Sequence, residues 1–350
     1  MPQLIQLLMI SICFAMITAC SPSLQPIETN KKASQVPTSR DQPEVENQKP
    51  VEEEESKDEQ TPVETPKPLA PVTLFRAFDD TYGCKGPYPA PWSCENVSLN
   101  NQEQGSFLTI ARPAARYLLA APHGWFDAGT DAITASIFPA DMSGQSSIWS
   151  TMVAHSFRGN APSNLSHNVN RPSLLDNDSC HDMPELATSK MVYERYQAHM
   201  SRLVPQAALY FEIHGQSETG LENTIEVATD RVSPAEAEAI RNIMLEELGK
   251  AEIAGIEVKI EPVEDIFFNA GLTKLCGSIN HISPAPAVHT ENPLVLRENE
   301  EAQLKSAKFY RAVLMRLAAE VFPPSRPTIN TQNLGLTGSD VQPIKAGPRS

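Results

Sequence analysis

Apolar residues recur along this chain in two rhythms. Short apolar runs bounded by Gly, Pro or polar clusters read as buried strands, at Phe107 to Ile110, Tyr117 to Ala121, Ser150 to Ala154, Ala207 to Ile213, Thr224 to Ala228, Gly255 to Ile260 and Ala287 to Thr290. Between them lie stretches with apolar residues at helical spacing. Ser233-Pro234-Ala235-Glu236 is a capping box with proline at the first helical position, and it opens a helix that Gly249 is expected to close. Glu300 to Val321 predicts a second helix, stopped by Pro323-Pro324, and Glu185 to Val204 predicts a third. Strands alternating with helices predict an α/β domain around a largely buried sheet.

The pattern fails at both ends. Residues 1–19 hold an apolar run from Leu4 to Ile17, too short to span a bilayer and sized for the core of a signal peptide. It closes with Ile17-Thr18-Ala19-Cys20, which resembles a bacterial lipobox. The resemblance implies that Cys20 is lipidated and anchors the chain to a membrane, and Ser21 after it fits an outer-membrane destination. Residues 20–71 are rich in Pro, Glu, Lys, Gln, Ser and Thr, and bury too little apolar area to offset chain entropy, so they are expected to form a disordered linker. A segment of that length reaches roughly 40 Å end to end. The folded domain is expected over 72–330, and the polar remainder, 331–350, as a tail.

The net charge of −15 adds little, because the acidic linker supplies much of it. No basic patch is available to neutralise phosphates, so nucleic acid is not an expected partner. Of six cysteines, Cys13 leaves with the signal and Cys20 carries lipid, leaving Cys84, Cys94, Cys180 and Cys276. An even number in an exported chain points to disulfides, with Cys84–Cys94 and Cys180–Cys276 the most economical of the possible pairings. A zinc site built from them is the rival reading, though no spacing matches a CxxC knuckle.

Candidate chemistry gathers where the expected strands end, which in open α/β sheets is where ligands bind. One apolar strand delivers His123 into a glycine-containing loop with Asp127 and Asp131 close behind, a second delivers His214-Gly215, and a third ends on Glu291. Two neutral imidazoles and one carboxylate leave a zinc ion with an open position for water, and a free carboxylate beside it can move the proton. His123, Asp127 and His214 form the candidate ligand set, with Glu291 as the acid/base. A histidine at a strand end is more often a hydrogen-bonded structural residue than a ligand, so the weight lies on the coincidence of two His-Gly strand ends.

These residues also carry a family resemblance. Pro122-His123-Gly124-Trp125-Phe126-Asp127-Ala128-Gly129-Thr130-Asp131 resembles the first metal-binding loop of the N-formylglutamate amidohydrolases and poly-γ-glutamate hydrolases, relatives of the zinc carboxypeptidases. His214 in Phe211-Glu212-Ile213-His214-Gly215 corresponds to the third ligand. Asn168-Val169-Asn170-Arg171-Pro172 resembles the Asn-Arg element that grips the substrate carboxylate, which implies substrate binding by Asn170 and Arg171. Glu291-Asn292-Pro293-Leu294-Val295-Leu296-Arg297 is similar to the stretch that begins with the catalytic glutamate, and Val192 to His199 to a helix after the Asn-Arg element.

The resemblance covers about residues 118 to 320. It implies a phosphorylase/hydrolase-like (zinc carboxypeptidase-like) mixed sheet flanked by helices, and a zinc hydrolase cleaving an amide of an N-acyl amino acid or peptide with a free carboxylate, in the cell envelope. Two departures stand out. The acid follows His123 by four positions and is Asp rather than Glu, so either Asp127 or Asp131 is open as the ligand; Asp127 is favoured because Asp131 falls where a helix should begin. The stretch from Glu218 to Asn280 has no counterpart in the pattern. They leave room for a second reading, a lipoprotein that kept the sheet, lost the metal and serves as a binding or interaction module. Bland readings also stand beside Asn170-Arg171 (a turn), Arg158 (a solvated loop residue), His199 (packing or capping) and Trp125 (pocket wall or core), while His155, His167, His181, His281 and His289 receive no role.

Overall fold

The computed structural model describes residues 71–76, 84, 88, 90–99, 102–138, 148–157, 167–171, 187–271, 277–281 and 285–325. The expected signal segment, Cys20, the linker up to residue 70, Arg158, Cys180, His181, Cys276 and the tail lie outside them.

Among the described residues eight strands form one mixed sheet: β1 (Trp92–Leu99), β2 (Gln102–Ile110), β3 (Tyr117–Gly124), β4 (Trp149–His155), β5 (Leu209–Gly215), β6 (Thr224–Asp230), β7 (Glu257–Ile260) and β8 (Ala287–Asn292). Their order across the sheet is β1-β2-β4-β3-β5-β8-β6-β7. The run β4-β3-β5-β8 is parallel throughout, flanked by antiparallel pairings of β2 with β4 and of β6 with β8. Every residue of β3, β4 and β8 is buried; β3 is accordingly apolar from Tyr117 to Ala121, while the carboxyl end of β8 buries the polar run His289 to Asn292. Seven of the strands coincide with the expected runs. β1 was not expected: it is a sheet edge in which Trp92 and Val97 are buried in a polar context. The Cys84–Cys94 disulfide, with Cα atoms 5.7 Å apart, ties β1 to the chain before it.

Helices cover both faces. On one, α1 (Thr130–Ile137), α3 (Pro234–Lys250) and α5 (Glu300–Arg316) pack Ile133, Ile240, Met244, Tyr310 and Leu314 against Leu119, Phe211, Val227 and Val288. On the other, α2 (Ala187–Leu203) and the short α4 (Ser278–His281) set Val192, Tyr196, Met200 and Ile279 against Leu118, Ala120, Tyr210, Ala228 and Ala287. Ser233 and Glu236 make the reciprocal capping box at the start of α3.

The end of α3 corrects an expectation. Gly249 lies inside the helix, and Glu252 instead takes the left-handed turn, at φ 56°. The N–H of Ile253 then donates to Leu248 O and that of Glu252 to Gly249 O, satisfying the last carbonyls as a glycine stop would.

Candidate metal centre

Because β3, β5 and β8 are parallel neighbours, their carboxyl ends meet on one edge of the sheet. Register sets the faces. Glu212 pairs with His289 and His214 with Glu291, so these side chains form a block of four, with the parity of Tyr210 and Ala287 on the α2 face. Strict alternation would turn His123 to the opposite face. The pairing of β3 with β4 shifts register between Ala121 and Gly124, however, and this irregularity re-aims the strand end.

From there the chain turns through Trp125, at φ 82°, and Asp127 N–H donates to His123 O at 2.9 Å, closing one turn that brings positions i and i+4 to one side. Thr130 secures the turn, donating to Asp127 O from both its N–H and its hydroxyl.

The ligand atoms form a near-equilateral triangle. His123 Nδ1 lies 3.2 Å from His214 Nδ1, and Asp127 Oδ2 lies 3.4 Å from the first and 3.3 Å from the second. A tetrahedral divalent ion with bonds of about 2.0–2.2 Å sets its ligands about 3.3–3.6 Å apart, and the triangle lies at the short end of that range. The proton inventory agrees. His123 Nε2–H donates to Asn168 Oδ1 at 2.6 Å, and His214 Nε2–H faces Glu212 Oε2 at 3.3 Å. Each imidazole thereby presents Nδ1 as a lone pair. Two lone pairs and a carboxylate oxygen converging there repel one another unless a metal ion, or a proton on a ring nitrogen, sits between them. All three residues are buried. Burial alone would raise the Asp127 carboxyl, but the adjoining His123 and His214 override it and hold it well below the usual carboxylate range. Asp127 Oδ2 also accepts the N–H of Gly215 at 3.1 Å.

Asp131, the other candidate acid, points elsewhere. Its Oδ2 is 3.8 Å from His155 Nε2, and burial raises its carboxyl. Asn170 is buried with its amide turned into the centre, Oδ1 3.1 Å from His123 Nε2 and Nδ2 3.4 Å from Glu212 Oε2. Its visible contacts are thus with the groups behind the ligands. Arg171 is half-buried, its N–H donating to Asn168 O. His199 stands apart, packed on Phe107 and paired with Glu95 at 3.2 Å; His167 bonds Ser189, and Trp125 packs edge-on to His155.

Two residues without a role in the sequence reading sit at the heart of the block. Glu212, fully buried, accepts from the Tyr210 hydroxyl, from Ser278 Oγ at 2.8 Å and from His289 Nδ1 at 2.8 Å. Burial opposes its charge, but His214 and His289 hold its carboxyl well below the usual range. His289 Nε2 in turn lies 2.9 Å from Glu291 Oε1. The signal for both was the spacing Glu-x-His in β5 and His-x-Glu in β8, which places each pair on one face of an apolar strand. Glu212, His214 and His289 also cluster closely enough to suggest a second metal. The rings of His214 and His289 are stacked, however, with centroids 4.0 Å apart and planes at 24°, so their in-plane lone pairs do not converge.

Arg297 closes the floor. Its guanidinium donates to Ala128 O at 3.0 Å, Gln216 O at 2.9 Å and Asn292 O at 3.3 Å, one carbonyl beside each of Asp127, Gly215 and Glu291. The glycines of the two His-Gly pairs serve this packing. A Cβ on Gly215 would stand 2.5 Å from Arg297 Cζ, and one on Gly124 would stand 2.8 Å from Ala154 O.

No protein-family model matches this sequence, and no curated protein matches it. Among solved structures it is similar to a metallo-carboxypeptidase from Burkholderia cenocepacia, at 11% identity over 65% of each chain with a TM-score of 0.38. It is similar to carboxypeptidase A from Helicoverpa armigera at 12% identity, covering 66% of this chain and 69% of that one, with a TM-score of 0.41. A metallo-carboxypeptidase from Pseudomonas aeruginosa matches at 18% identity over 65% of this chain and 64% of its own, with a TM-score of 0.37. The chain thus spans just under two thirds of the length of the first of these.

Proposed function

We propose that this chain is a zinc-dependent hydrolase that cleaves an amide bond of an N-acyl amino acid or peptide carrying a free carboxylate. The observation that carries the reading is the buried triangle of ligand atoms from His123, Asp127 and His214, with the carboxylate of Glu291 at the register position beside His214. Zinc held there supplies Lewis-acid polarisation of a scissile carbonyl and acidifies water.

The rest falls to the chain. Glu291 takes the proton of the attacking water and returns it to the leaving nitrogen. Asn168 and Glu212 fix the ring orientations of His123 and His214 through their Nε2–H groups. Arg171 holds the substrate carboxylate, a task matched to a planar two-pronged donor. Its position after Asn168 and Asn170, both of which touch His123 Nε2, puts its backbone within three residues of the ligand shell. Lipidation at Cys20 places the enzyme at the cell envelope, most simply the outer membrane. Envelope material such as peptidoglycan peptides or γ-glutamyl polymers then becomes the natural substrate class. No helix among the described residues is long and apolar enough to cross a membrane.

The test is metal content and turnover of the full chain. The expected result is one zinc per chain, and a Glu291→Gln variant that keeps the zinc and loses hydrolysis of N-formyl-L-glutamate, N-acetyl-L-glutamate or γ-linked glutamyl peptides. A protein without stoichiometric metal overturns the reading in favour of a binding module, and undiminished turnover in Glu291→Gln removes Glu291 from the mechanism.

A further inference from the structure

The block on β5 and β8 places acids and imidazoles alternately: Glu212 and His214 along one strand, His289 and Glu291 along the next. The hydrolase reading uses His214 and Glu291 directly and Glu212 as a partner of His214. His289 is left over, and its surroundings do not match a residue that only fills space. It is fully buried, yet each ring nitrogen meets a carboxylate oxygen at hydrogen-bonding distance, Nδ1 to Glu212 at 2.8 Å and Nε2 to Glu291 at 2.9 Å. A carboxylate oxygen accepts, so a ring N–H is the donor across such a contact, Nε2–H toward Glu291. A flip of the ring would set C–H groups against the oxygens, and the stack on His214 holds the ring plane.

We propose that His289 is the positioning residue for Glu291: its Nε2–H holds the acid/base carboxylate in place, while Glu212 and the His214 ring hold His289. The proposal rests on the hydrolase reading for its catalytic meaning. Glu212 thereby anchors both halves of the centre, the ligand His214 through one contact and the base Glu291 through His289. A general base works only within hydrogen-bond reach of the proton it moves, and a glutamate carboxylate on three rotatable bonds needs a partner to stay there. His289 acts through Glu291, since burial keeps it from any substrate.

Three variants of the zinc-loaded full chain test this, with N-formyl-L-glutamate, N-acetyl-L-glutamate and a γ-glutamyl dipeptide as probes. His289→Phe keeps a ring to stack on His214 and removes both ring nitrogens, His289→Gln keeps an N–H donor, and His289→Asn keeps polarity with less reach. Phe and Asn are expected to lower kcat by about tenfold or more, with KM and zinc affinity by chelator competition within about threefold of the parent. Gln is expected to recover most of the loss. In crystal structures of the Phe or Asn variant the Glu291 carboxylate should move by about 1 Å or more.

The proposal is overturned if Glu291 keeps its position in these variants, or if zinc affinity falls as far as kcat, which would make His289 a support of the metal alone. If Phe does not fold, the Asn and Gln pair decides. If the parent hydrolyses none of the probes, the hydrolase reading is what fails, and the position of Glu291 in the variant crystals still decides the role of His289.

Discussion

Replacing Arg297 by methionine tests how the centre is held together. Arg297 is 5% exposed, and its guanidinium joins three backbone carbonyls from three separate chain segments. A hydrogen bond to a charged donor contributes about 1.5–3 kcal/mol. The bonds at 2.9 and 3.0 Å count in full and the one at 3.3 Å for less, so the gross loss is about 4–7 kcal/mol. Against this stands the cost of keeping the cation buried, which also lowers its own pKa, so a net loss of about 3–5 kcal/mol is expected. In a domain stable by about 5–15 kcal/mol that is a large fraction. Arg297→Lys keeps the charge but concentrates it at one point that satisfies one carbonyl at a time, and about half the loss is expected. The assay is urea unfolding by linear extrapolation, with and without zinc, beside zinc affinity by chelator competition. Since the carbonyls flank Asp127, Gly215 and Glu291, zinc affinity should fall along with stability. A methionine variant within about 0.5 kcal/mol of the parent with unchanged zinc affinity would refute the reasoning.

Gly215→Ala should act through the same arginine, displacing a pinned guanidinium and costing about 1.5–3 kcal/mol in urea unfolding; a neutral effect would mean that Arg297 moves aside freely. In metal-free protein the depressed carboxyls of Asp127 and Glu212 stabilise the fold fully above the ordinary carboxylate range, near about 4, and that contribution is lost as pH falls through their lower folded values. Unfolding free energy should therefore decline below about pH 4, less steeply in Asp127→Asn, and equal slopes would show that Asp127 is not held down by its imidazoles. Removing zinc with a chelator should leave the far-ultraviolet circular dichroism unchanged and zinc should restore activity; a collapse of the spectrum would show that the metal builds the fold.

Most of the sheet was legible because strands buried on both faces carry apolar runs, as β3 does over Tyr117 to Ala121 and β4 over Met152 to Ala154. β1 was hidden by its edge position, where Glu95 and Asn96 face water. Helix α1 carries β-branched Thr and Ile in a short run, a weak helix former by propensity, and is stabilised by burying seven residues. The strand-end positions of His123, His214 and Glu291 were readable because an apolar run stops there. Glu212 and His289 were not assigned, since which polar residues inside two apolar runs face one another depends on register, and register is a property of strand pairing. The amide of Asn170, expected toward a substrate, was not foreseen against His123, because Asn170 sits in a turn whose docking is set by tertiary packing.

Each of the three ligands is gripped by a group of the protein itself: Asp127 by the N–H of Gly215, His123 by Asn168, His214 by Glu212. The rotamer freedom that metal capture ordinarily extinguishes is therefore already spent during folding. If a metal occupies such a seat, its exchange would be a matter of water and proton traffic, with the polypeptide standing still.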